Sequence, residues 1–181
     1  FHEMRDRLLG SAINFYDNLN AALAAKGIPP FPQIRVRLIY YQDFGDINGY
    51  ADPDPMIMSN FFALPDEKGN FNSYASPVMA GYGGDGPESG LECLNEAMSS
   101  PWMKPGDHIA GFTQPVTDVY PLIVIWTDAP SHPPGFPNSL TNALYPSAAQ
   151  MPRTASDMLD KWNDAEVIDQ QNKQILFFGD P

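Results

Sequence analysis

The chain has 181 residues, 43% of them hydrophobic, with 22 acidic against 10 basic side chains and a net charge of −12. A chain of this size buries one sizeable core and needs no second domain, so a single domain over residues 1–181 is expected. Its charge opposes nucleic acid and anionic membrane surfaces and favours a cationic partner or a metal. No apolar run approaches the ~20 residues of a membrane span, and the amino terminus lacks the basic-then-apolar order of a signal peptide. The lone Cys93 cannot form an internal disulfide, so the fold makes no demand on an oxidising compartment, which leans towards a cytoplasmic setting.

Along the chain, apolar residues at Met4, Leu8, Leu9, Ala12, Ile13, Tyr16, Leu19 and Leu23 recur at three- and four-residue spacing. That spacing predicts an amphipathic helix, stopped by Gly27 and Pro29. Ile34 to Tyr41 alternates and then closes on an apolar run, as a strand entering a sheet interior would. An acidic loop from Asp46 to Pro55 separates it from a shorter strand, Asn60 to Leu64, and a weak helical stretch follows from Asp66 to Met79, interrupted by Gly69. The glycine-rich turn from Ala80 to Glu88 leads into a helix marked by Leu91, Leu94 and Met98, with Ser89 and Glu92 spaced as a capping box. Pro121 to Asp128 reads as a strand buried on both faces and ending on a carboxylate. After a proline-rich loop from Ser131 to Pro152, a helix from Thr154 to Asn163 and a last strand from Gln174 to Phe178 complete the pattern.

Alternating helices and apolar strands predict an α/β fold, a doubly wound and mostly parallel sheet with helices on both faces. Sites in such sheets form outside the carboxyl ends of the strands. Three acidic clusters fall at or near that edge: Asp43 with Asp46, Asp85 with Glu88, and Asp128. Oxygen donors with no histidine or cysteine cluster favour a hard cation such as Mg²⁺ or Ca²⁺ over zinc. Each carboxylate also has a plain structural use. Asp128 can cap a turn, and Asp85 and Glu88 can place negative charge at a helix amino terminus.

The ordered segments Tyr41-Gln42-Asp43-Phe44-Gly45-Asp46, Gly83-Gly84-Asp85-Gly86-Pro87-Glu88, Pro101-Trp102 and Trp126-Thr127-Asp128-Ala129-Pro130-Ser131-His132 resemble a von Willebrand factor A domain of the bacterial or alpha-kinase-associated type. The resemblance spans essentially the whole chain and implies a Rossmann-like fold with a metal-ion-dependent adhesion site. It assigns Asp128 and Glu88 to the metal, with Asp85 behind them or at an adjacent ion, and Mg²⁺, Mn²⁺ or Ca²⁺ as the cofactor. The family's Asp-x-Ser-x-Ser motif does not occur in this sequence. The resemblance would put it, with the first strand, before Phe1, and further elements after Pro181, so the fold is expected to be incomplete at both ends. An upstream segment or a separate polypeptide would then supply the missing strand.

The function this implies is a metal-dependent protein-binding module, adhesive or scaffolding, whose partner completes the metal shell with an acidic side chain. The bound cation would invert the local field of an otherwise acidic protein. One alternative uses the same carboxylates, a metal-dependent hydrolase for which only His132 offers a base; another, implied by the resemblance alone, is a regulatory domain of a kinase or ATPase system. Other motifs fail on chemistry. The glycine-rich turn has no Walker lysine and carries acid where phosphate would sit. The acidic loop has Ile57 where a calcium loop needs its glutamate. His2, His108 and His132 show no zinc spacing, and Cys93 on a helix reads as a structural thiol.

Overall fold

The computed structural model describes residues 2–44, 55–77, 86–136, 152–169 and 171–179. These fall into two compact units, the first built from residues 1–40 and 57–81, the second from 41–56 and 82–181.

The first unit opens with helix α1 (His2–Ala25), and its stop signal works as the sequence predicts. Gly27 adopts a φ of +69°, a left-handed conformation that carries no Cβ penalty for glycine. Gly27 N–H then reaches Ala24 O at 3.0 Å and Ile28 N–H reaches Leu23 O at 2.9 Å, the paired bonds of a Schellman end. Asn20 secures the chain beyond it, accepting from Phe31 N–H at 2.9 Å and donating to Phe31 O at 3.2 Å.

The apolar run 34–41 forms two short strands rather than one, β1 (Ile34–Val36) and β2 (Ile39–Tyr41). Between them the Arg37 guanidinium donates to Ser59 O at 2.8 Å, and Leu38 N–H donates to the Ser59 hydroxyl at 2.9 Å. Ser59 thus takes backbone bonding away from a continuous ladder, and the two halves of the run find different partners. β1 pairs antiparallel with β4 (Phe62–Leu64), Ile34 opposite Leu64 and Val36 opposite Phe62. β2 pairs with β3 (Met56–Met58). Gln42 N–H to Pro55 O at one end and Ser59 N–H to Leu38 O at the other make that pairing antiparallel too. Helix α2 (Lys68–Ala75) closes the unit, with Phe71 and Ala75 fully buried beside Leu38 and Leu64. Phe71 meets Phe62 edge to face at 5.8 Å and 86°, a favourable arrangement of ring quadrupoles.

In the second unit, helix α3 (Gly90–Met98) and helix α4 (Ala155–Trp162) pack with strand β5 (Leu122–Thr127) around Met98, Ile123 and Met158. β5 runs parallel to β6 (Gln174–Gly179), Leu122 opposite Gln174 and Thr127 opposite Gly179. Lys161 ties α4 to α3 through the Asn95 side chain and the Ser99 hydroxyl, both at 2.5 Å.

Helix α4 carries a complete capping box. Asp157 N–H donates to the Thr154 hydroxyl at 3.1 Å, and the Asp157 carboxylate accepts from Thr154 N–H at 3.0 Å and Arg153 N–H at 2.9 Å. Those bonds, Arg153 first and then Thr154, hold the Asp157 carboxyl below its ordinary value of 3.8. A depressed carboxylate stabilises the folded state above its unfolded value and loses that effect as pH falls through the folded one. Thr154→Ala removes the hydroxyl that accepts from Asp157 N–H and is expected to cost about 1 kcal/mol at neutral pH, as urea titration would show.

The doubly wound, mostly parallel sheet with helices on both faces is not what forms. The described residues make three two-stranded sheets, two antiparallel and one parallel, with four helices. An apolar run announces a strand but not its partner, and here the partners of 34–41 lie nearby in sequence, where antiparallel pairing is possible without a crossover helix. One of those partners, β3, spans three residues at the edge of the stretch read as an acidic loop, too short for period-two alternation to show. β5 is not covered on both faces, with Trp126 43% exposed, and all of β6 is exposed, Phe177 to 65%.

Candidate functional site

Within the second unit, three segments far apart in sequence meet at the amino end of α3: Tyr41 to Phe44 from the last residue of β2, Glu88 to Ser89 before α3, and Thr127 to His132 from the last residue of β5. Glu88 N–H donates to Pro130 O at 2.8 Å and Glu88 O accepts from His132 N–H at 2.9 Å, a two-bond strap that sets Glu88 parallel to Ser131. The Ser131 hydroxyl accepts from Leu91 N–H at 3.0 Å, so an orphan donor of the first helical turn is capped from the loop after β5.

Ser89 does not cap the helix, contrary to the spacing with Glu92. Its hydroxyl accepts from Phe44 N–H at 3.0 Å, joining the third segment to the other two. Beneath that contact His132 Nε2 lies 3.2 Å from Asp43 Oδ1, the side chains 3% and 0% exposed, and the His132 ring stacks on Phe136 at 4.0 Å. Imidazole and carboxylate at this distance form a close pair out of water, where losing either partner is expensive.

The Tyr41 phenol lies beside the Thr127 side chain. Burial pushes the Tyr41 phenol above its ordinary value of 10.0, and the neighbouring Cys93, Glu88 and Asp128 add to the rise. Glu88 and Asp128 therefore act on the same phenol from different loops. Asp128 is exposed in the turn where the Thr127 hydroxyl donates to Ala129 O at 2.8 Å, and Glu88 is half-buried. Cys93 is buried in α3, its thiol pushed up to about 12 by burial and then by Glu92 and Glu96, which leaves almost no thiolate at neutral pH.

Of the predicted ligand residues, Glu88 and Asp128 come into one neighbourhood, while Asp85 and Asp46 lie outside the described residues. Among the described residues no three His, Cys, Asp or Glu side chains group closely enough to hold a metal ion. Glu88 and Asp128 are oxygen donors of the kind Mg²⁺ or Ca²⁺ takes, but such ions need about six or more ligands, so these two do not make a site by themselves. Sequence reasoning placed Asp43 and His132 near the edge without joining them. The 89-residue separation carries no local signal of their pairing, and neither do the tertiary roles of Tyr41, Ser89 and Ser131. Among the described residues no helix is long and apolar enough to cross a membrane. Comparison with protein-family models, with curated proteins and with solved structures finds no match for this chain.

Proposed function

We propose that this chain is a protein-binding module whose contact edge is the loop cluster at the amino end of α3, with Glu88 and Asp128 as its recognition carboxylates and a divalent cation as its ligand. The carrying observation is the strap between Glu88 and the Pro130–His132 loop, which holds one carboxylate against the turn that presents the other. The anchoring groups beneath it, Asp43, His132 and Ser89, are buried. That division, a buried polar base with one half-buried and one exposed carboxylate beside it, suits recognition, because the backbone that presents the carboxylates is already held before binding. The ordered motifs that resemble a metal-dependent adhesion domain support the same function class. A cation at this edge would supply positive charge for an acidic side chain of the partner.

A hydrolase needs a base that reaches substrate. His132 is 2% exposed and directed at Asp43, which suits a positioning role. Isothermal calorimetry with Mg²⁺ and with Mn²⁺ is the test. The chain is expected to bind one of them, and Asp128→Ala to weaken binding by about tenfold or more, the effect of losing one good ligand. Equal affinity in the two proteins would remove Asp128 from the site, and no binding by either would remove the cation from the reading.

A further inference from the structure

Strand β6 presents an edge that lacks the usual protection. Among the described residues it pairs with β5 alone, and all six of its residues are exposed. Gln174 N–H donates to Pro121 O at 2.9 Å, which fixes the alternation of the parallel pair. Gln174, Leu176 and Phe178 turn their backbone groups to β5, and Ile175, Phe177 and Gly179 turn theirs to the open edge. Among the described residues no hydrogen bond reaches that edge. Such a row of donors and acceptors is a template for another strand, which proteins ordinarily blunt with charge, proline or a bulge. From Gln174 to Gly179 there is neither charge nor proline, and the register with β5 runs unbroken over all six residues.

Register, charge and area select a second copy of this chain as the occupant. An antiparallel partner must meet outward-facing residues with outward-facing residues. β6 meets that condition against itself. With Phe177 opposite its own counterpart, Ile175 falls opposite Gly179 and Leu176 opposite Phe178, so both edges are used up around one two-fold axis. The net charge of −12 opposes close approach of two copies over most of the surface, whereas β5 and β6 carry no charged side chain and Lys173 beside them is basic. Ile175, Leu176, Phe177 and Phe178, with Trp126 stacked on Phe178 at 5.6 Å, are 38–65% exposed. At ~150–250 Å² for each aromatic side chain, they offer on the order of 500 Å² of apolar surface per copy. Two copies together reach the ~1,000 Å² that a specific interface needs.

We infer that two copies of this chain join edge to edge through β6 into a continuous four-stranded sheet, β6 antiparallel to β6 about Phe177. This pairing uses neither Glu88 nor Asp128 and stands whether or not they bind a cation. Sedimentation velocity on the full chain in EDTA, across the micromolar range, should show a monomer–dimer equilibrium approaching twice 20.0 kDa and going no further. Phe177→Lys sets like charges directly opposite each other at the axis and should weaken the dimer by about tenfold or more, although it lowers the net charge. Phe15→Lys makes the same change at a ring 45% exposed on α1 and should alter the dimer by less than about twofold, through long-range screening alone. Cross-linking reads the register. Under mild oxidation Phe177→Cys should join two chains by a disulfide, because a hydrogen-bonded antiparallel pair sets its Cα atoms ~5.5 Å apart. Phe178→Cys should not, since its counterparts lie diagonally at ~7–8 Å. Cys93 is buried and does not compete. A monomer throughout the range, growth beyond the dimer, equal effects of the two lysine variants or equal cross-linking of the two cysteine variants would each overturn the inference.

Discussion

Replacing His132 with alanine is expected to destabilise the second unit by about 3–5 kcal/mol, the range for removing one partner of a buried polar or ionic pair. Asp43 is 0% exposed, and the imidazole Nε2 of His132 lies 3.2 Å from its Oδ1. Without that ring a carboxylate keeps its desolvation cost and loses its close polar partner, and the face of Phe136 loses its stacked neighbour at 4.0 Å. The same substitution frees the loop whose His132 N–H holds Glu88 O, so the local change reaches the contact edge. Urea unfolding followed by tryptophan fluorescence should show a lower midpoint with an unchanged slope. His132→Gln, whose amide can still donate to Asp43, should recover part of the loss. A His132→Ala midpoint within about 0.5 kcal/mol of the parent, the range of ordinary surface substitutions, would show that the pair does not anchor these loops.

In the first unit the largest effect is expected at Phe71. Its ring is 0% exposed, packed against Leu38, Leu64 and Ala75, and set edge to face with Phe62. Truncation to alanine removes the buried ring area and leaves a cavity that short strands and a helix of eight residues can only partly collapse. The expected cost is about 3–5 kcal/mol. Phe71→Leu, which keeps most of the volume, should cost markedly less, about 1–2 kcal/mol. Phe15, 45% exposed on α1, supplies the contrast, and its alanine variant should stay within about 0.5 kcal/mol of the parent. Far-UV circular dichroism against urea would order the three variants. Equal midpoints for Phe71→Ala and Phe15→Ala would mean that the Leu38–Phe71 cluster is not the core of this unit.

What the sequence by itself determined is local. The stop of α1 is legible because Gly27 is the residue that takes a left-handed φ at no cost, and the start of α4 because Thr154 and Asp157 sit at the spacing where each side chain reaches the other's backbone N–H. β5 and β6 are legible as strands from their β-branched and aromatic runs, as is the presence of carboxylates at the ends of strands. Partnership is another matter, because it depends on which donors and acceptors meet through space. Ser59 divides one apolar run into two strands with different neighbours, so three small sheets stand where alternating helices and strands imply one wound sheet. Ser89, spaced to cap its own helix, instead accepts from Phe44 N–H, and the cap comes from Ser131, 42 residues further along. Asp43 and His132 look like loop residues until burial removes water as their competing partner and leaves each to be satisfied by the protein around it. Propensity and capping act over a few residues and leave a mark in the sequence, whereas register, burial and pairing are settled by the whole packed unit and leave none.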